Sequence, residues 1–74
     1  MSSFYIDSKG YIYGPKGYTQ CYVDKGEFIY SPSGYTQYYI DKGEYIYGPS
    51  GYTQCYLSGE YIYGPVETLP WLKI

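Results

Sequence analysis

The chain has 74 residues, a net charge of −2 and only 16% charged residues. That length holds one domain with a thin core, since a domain this small hides only about 60% of its unfolded surface. Sparse charge beside 45% hydrophobic residues argues against disorder, the lack of a basic face argues against a nucleic-acid binder, and the absence of histidine removes the usual general base near neutral pH.

Met1-Ser2-Ser3 opens the chain with neither a basic n-region nor an apolar h-region. No apolar run approaches the roughly 18 residues of a transmembrane helix. The sequence therefore reads as cytoplasmic, with no membrane partner. Phe4-Tyr5-Ile6 is the first strand candidate, in a partial unit over 4–10.

Full repeats follow. Tyr11, Phe28, Tyr45 and Tyr61 open successive units, at spacings of 17, 17 and 16. They divide the chain into repeats 11–27, 28–44 and 45–60, a second partial unit 61–65 and a tail 66–74. A fixed short period is the first thing a sequence must explain. Each unit holds a short β-type run (Tyr11-Ile12-Tyr13, Phe28-Ile29-Tyr30, Tyr45-Ile46-Tyr47, Tyr61-Ile62-Tyr63). A longer run follows, from Tyr18 to Val23, Tyr35 to Ile40 and Tyr52 to Leu57. With the first strand this predicts an all-β antiparallel meander of about eight short strands.

Turn residues separate the runs. Asp24-Lys25-Gly26 and Asp41-Lys42-Gly43 suit three-residue hairpin loops with glycine in the left-handed region. Gly-Pro-Lys-Gly at 14–17 and its counterparts at 31–34 and 48–51 place proline at the second turn position and glycine at the fourth. These loops predict Val23 opposite Glu27, Tyr22 opposite Phe28, Cys21 opposite Ile29, Tyr30 opposite Tyr35 and Ile29 opposite Thr36. The shorter Leu57-Ser58-Gly59-Glu60 predicts Cys55 opposite Ile62. The missing residue falls in a loop, which favours a meander over a parallel solenoid.

Alternation then gives two faces. One is largely aliphatic: Phe4, Ile6, Ile12, Thr19, Cys21, Val23, Ile29, Thr36, Tyr38, Ile40, Ile46, Thr53, Cys55, Leu57 and Ile62. The other carries tyrosine and glutamine, and charges gather at one set of turns. The aliphatic face must be buried, either by closure into a small barrel or by a face-to-face dimeric sandwich. The short strands favour a shared core and a homo-oligomer. Cys21 and Cys55 lie four strands apart, roughly 19 Å in a flat sheet, too far for a bridge. They read as buried thiols.

The tail 66–74 leaves the repeat and holds the single tryptophan. Trp71 reads as part of a cap, or as an anchor at an interface. Glu27, Glu44 and Glu60 recur at one rim position, spaced too widely for the first shell of one ion. No cofactor, metal or catalytic set is expected, and an enzyme is not.

The tyrosine–glutamine face is the candidate site: Tyr18, Gln20, Tyr22, Tyr35, Gln37, Tyr39, Tyr52, Gln54 and Tyr56. Tyrosine supplies contact area at low entropy cost together with a hydroxyl. Such a face fits a glycan chain, an extended peptide or another copy of itself. The expected function is a binding or interaction module, with a self-assembling structural repeat protein as the alternative. In that alternative the first and last strands, near Phe4 and Tyr61, are free edges for joining chains. The stretch YYIDKGEYIYG at 38–48 resembles the aromatic hairpin repeats of choline-binding and glucan-binding surface proteins, with paired aromatics before a glycine turn and more after it. Those repeats use tryptophan where this chain has tyrosine, and GYTQ is not part of their pattern, so no ligand follows from the resemblance.

Overall fold

The computed structural model describes residues 3–72. Eight strands form one closed barrel in sequence order. They are β1 (Tyr5–Ile6), β2 (Tyr11–Gly14), β3 (Gly17–Asp24), β4 (Phe28–Ser31), β5 (Gly34–Asp41), β6 (Tyr45–Gly48), β7 (Gly51–Ser58) and β8 (Tyr61–Tyr63). All neighbours are antiparallel, and β1 pairs with β8 through Tyr5 and Tyr61. The barrel, not the shared-core sandwich, is how this chain buries its aliphatic face. No second chain is needed to complete the core. Closure also removes both free edges, so the joints expected at Phe4 and Tyr61 are occupied: Ile6 donates to Glu60 O at 2.8 Å and Ile62 to Phe4 O at 3.0 Å. No helix among the described residues is long and apolar enough to cross a membrane.

The seam makes the barrel quasi-fourfold. Val23 donates to Gly10 O, Ile40 to Glu27 O and Leu57 to Glu44 O, each at 2.7 Å, and Ile6 to Glu60 O is the fourth of the set. The two partial units therefore join as one: β8 supplies its first strand and β1 its second.

Eight strands enclose a space that side chains just fill. Ile12, Ile29, Ile46 and Ile62 come from the four even strands and are at most 1% exposed. Ile29 faces Val23 on one side and Tyr38 on the other, so the isoleucines form a middle layer. The odd strands supply the flanking layers: Ile6, Val23, Ile40 and Leu57 toward the charged turns, and Phe4, Cys21, Tyr38 and Cys55 toward the other end. Side chains from alternate strands stack this way in barrels.

The register departs from the predicted one. Tyr22 pairs with Tyr30, Val23 with Ile29 and Asp24 with Phe28, not Val23 with Glu27 or Cys21 with Ile29. The reason is the turn. Lys25 and Gly26 both have positive φ, 56° and 69°, and Glu27 donates to Asp24 O at 3.0 Å. That sign pattern is a type I′ turn, whose twist suits a hairpin. Asp24 closes the loop, displacing the ladder by two residues and leaving every side chain on its predicted face. The last hairpin shifts likewise: Leu57 pairs with Ile62 and Tyr56 with Tyr63, so Cys55 does not face Ile62.

A second departure is more informative. Tyr30 pairs with Tyr35 as predicted, but Ile29 pairs with Tyr38, not Thr36. Thr36 and Gln37 are bulged out, as are Thr19-Gln20 and Thr53-Gln54. The bulge inserts two residues, so the alternation resumes in phase beyond it.

One end of the barrel is covered. Val66–Thr68 and Pro70–Leu72 form two 3₁₀ turns. Leu69 and Leu72 enter the core at 2% and 5% exposure. Trp71 meets Tyr38 edge-on at 5.7 Å, so its ring packs within its own chain. Residues 73–74 of the expected cap lie outside the described residues.

Candidate functional site

Each long strand builds the same surface feature. The bulge strands an isoleucine carbonyl, and the threonine hydroxyl takes it: Thr19 donates to Ile12 O, Thr36 to Ile29 O and Thr53 to Ile46 O, all at 2.7 Å. The same hydroxyls accept the amides of Cys21, Tyr38 and Cys55 at 3.1–3.2 Å. With threonine holding the bulge, the next residue is driven into the left-handed region. Gln20, Gln37 and Gln54 all sit at φ 70°. Such a conformation costs an L-residue about 1–2 kcal/mol, and glutamine is not a residue that relieves it. All three glutamines are exposed, and their side chains form no hydrogen bond among the described residues.

The rings of each repeat pack on one another beside the bulged strand in near-identical geometry. Tyr11 and Tyr18 meet at 5.6 Å and 85°, Phe28 and Tyr35 at 5.8 Å and 83°, Tyr45 and Tyr52 at 5.8 Å and 86°. Behind them Tyr13–Tyr18, Tyr30–Tyr35 and Tyr47–Tyr52 tilt at 5.3–5.5 Å. Edge-to-face pairs of this kind contribute about 0.5–1.5 kcal/mol beyond their burial. That packing fixes the rings without covering them: Tyr18, Tyr35 and Tyr52 remain 45%, 44% and 43% exposed. Desolvation by burial, then repulsion from nearby tyrosines, with Cys21 acting on Tyr18, Glu27 on Tyr35 and Cys55 on Tyr52, pushes these three hydroxyls above their usual range. They stay protonated hydrogen-bond donors.

All nine predicted residues therefore lie on the outer surface, as three repeated sets around the barrel, joined where Tyr22 stacks on Tyr30 and Tyr39 on Tyr47. Tyr18, Gln20 and Tyr22 form the first, Tyr35, Gln37 and Tyr39 the second, Tyr52, Gln54 and Tyr56 the third. Tyr39 is half-buried, stacked on Tyr47 at 5.7 Å. Tyr11, Phe28 and Tyr45 belong to the groups as well. Their sequence signal was present, one per repeat, but the bulge that brings them under Tyr18, Tyr35 and Tyr52 does not announce itself in the alternation. The fourth unit lacks a GYTQ segment. Tyr61 there meets Tyr5 at 6.0 Å and 61°, and the capping turns take the place of the hairpin.

Concavities lie elsewhere as well. A cavity of about 450 Å³ opens at the charged-turn end, floored by Ile6, Val23, Ile40 and Leu57 and edged by Lys9, Lys25 and Glu60. A groove of about 420 Å³ runs between the β6–β7 hairpin and the cap, lined by Tyr38, Tyr52, Gln54 and Thr68 among others. The second borders the third tyrosine–glutamine group.

The buried cysteines have a structural task. The Cys21 thiol donates to Trp71 O at 3.3 Å and the Cys55 thiol to Pro65 O at 3.4 Å. Tyr38, at the equivalent position, donates its hydroxyl to Thr68 O at 3.4 Å. Burial pushes the Cys21 thiol up, against a smaller opposing hydrogen bond from Thr19, so it is disfavoured as a thiolate nucleophile. Both cysteines are free.

These elements define an eight-stranded antiparallel barrel built from a repeated, bulged hairpin. Comparison with protein-family models, curated proteins and solved structures finds no match for this chain.

Proposed function

We propose that this protein is a non-enzymatic binding module whose outer tyrosine–glutamine surface holds an external ligand. The observation that carries the reading is the glutamine backbone. A left-handed residue without glycine's freedom stores strain, and strain of this kind gathers at functional sites. Here it recurs three times, beside an exposed pair of rings and with an unbonded amide. Ring packing alone accounts for neither the strain nor the free amides.

The ring edges and faces offer apolar contact, while the amide supplies one acceptor and two donors. Glycans and peptides in extended form both suit that chemistry. The test is a combined glycan and peptide array, probed with the folded protein and with Tyr18→Ala, Tyr35→Ala and Tyr52→Ala together. The expected result is binding lost in the triple variant while its circular dichroism stays that of the wild type. Binding that survives in a folded triple variant would remove this surface from the function. Self-association through the same rings is read separately, by sedimentation velocity across a hundredfold range of concentration.

A further inference from the structure

The three groups differ from one another by no more than 0.2 Å in ring separation and 3° in ring angle. Their glutamines share one φ, and their threonines share one bond length. They are three near-copies of one site, the second with Phe28 where the others have tyrosine. Successive units of a closed fourfold barrel are related by about a quarter turn. The first and third sites therefore face away from each other, across a molecule measuring 28 × 27 × 22 Å. The fourth position, where the chain ends meet, carries the cap.

Resting on the binding reading above, we infer that the protein is trivalent and that its ligand is a neutral polysaccharide, whose separate chains it cross-links. Three observations select this class. The charges beside the ring clusters include carboxylates: Asp24 pairs with Phe28, Asp41 pairs with Tyr45 and Glu27 acts on Tyr35, so the sites repel an anionic ligand and add acceptors for hydroxyl groups. The barrel is closed, so an extended peptide finds no free strand at β1 or β8 to pair with. A sugar ring presents an apolar C–H face and an edge of hydroxyls, which an exposed tyrosine ring and the glutamine amide of the same strand match, and Tyr52 and Gln54 line one groove. A straight chain cannot touch sites that point in opposite directions, so multivalency here joins separate chains.

The test is affinity electrophoresis of the protein in gels containing dextran, mannan, xylan or galactomannan. Calorimetry then follows, with a hexasaccharide of whichever polymer retards it. The expected stoichiometry is three hexasaccharides per chain. Mixing with the polymer should raise turbidity, with an apparent affinity 10²–10⁴-fold above that of the hexasaccharide. Gln37→Gly removes one amide while relieving its left-handed strain, so it folds, and it should lower the stoichiometry to two. A wild-type stoichiometry of one, or a Gln37→Gly protein that still binds three, overturns trivalency while leaving the binding reading intact. Retardation by none of the four polymers, with peptides captured on the array, overturns the carbohydrate assignment alone. Capture of neither ligand class overturns both readings.

Discussion

The two ends of the barrel are made from the same strands and finished differently. At one end Phe4, Cys21, Tyr38 and Cys55 meet the two 3₁₀ turns of the tail, and Leu69 and Leu72 complete the core. At the other, Ile6, Val23, Ile40 and Leu57 floor an open cavity edged by turns. The open-end layer is aliphatic in every unit. The capped-end layer varies, with cysteine in two units, and Cys21, Tyr38 and Cys55 each meet a different part of the cap. Departures from a repeat thus mark where the repeat touches something that is not repeated. The same rule applies outside, where the three GYTQ segments are alike and the fourth position has none.

The sharpest test of this contrast is a matched pair of truncations. Leu69→Ala at the capped end should cost about 2–5 kcal/mol, because the side chain is fully enclosed. Leu57→Ala at the open end should cost about 1–2 kcal/mol, because that side chain is only half-buried. Urea denaturation measures both, and equal losses would mean that the two ends are equally closed. Thiol alkylation adds a second readout. Loosening the cap in Leu69→Ala should speed labelling of Cys21 and Cys55, while Leu57→Ala should leave it unchanged.

Smaller effects separate the outer sites from the scaffold. Gln20→Gly should stabilise the fold by about 0.5–1 kcal/mol by relieving the left-handed strain, net of glycine's added chain entropy. A loss of stability would show that the glutamine side chain packs in a way its exposure does not suggest. The smallest effect is alkaline. Tyr18, Tyr35 and Tyr52 have raised pKa values when folded, so the unfolded chain loses these protons first. Their contribution is complete below the unfolded tyrosine value of about 10 and falls as pH rises through the folded values. Thermal midpoints should decline above that pH, and less so in the triple Tyr→Ala variant.

Much of this was legible in the sequence. The period of the units, the eight strands and the two faces follow from alternation and turn residues, because barrel walls and hairpins are local patterns. Register was not, since Lys25 and Lys42 adopt positive φ in turns where glycine alone was expected to. The bulge was hidden for a different reason. Inserting two residues, Thr19 and Gln20, restores the phase of the strand, so the pattern reads as uninterrupted. Closure was also beyond the sequence. Barrel and sandwich bury the same aliphatic residues, and the choice rests on β1 meeting β8 across the whole length of the chain. For the site, residue types were readable, but their arrangement as three repeated sets around the barrel depends on the bulge and on closure together.

The seam is therefore the feature on which the rest stands: the fourfold arrangement, the loss of free edges and the direction of each site all require it. Amide hydrogen exchange tests it directly. Ile6 donates across the seam in a bond equivalent to those made by Val23, Ile40 and Leu57 within the continuous units, and Ile62 donates across it to Phe4 O. Closure predicts that the amides of Ile6 and Ile62 are protected to within about tenfold of those three. Exchange at Ile6 and Ile62 near the rate of an unstructured chain, with Val23, Ile40 and Leu57 still protected, would show an open sheet and contradict the account.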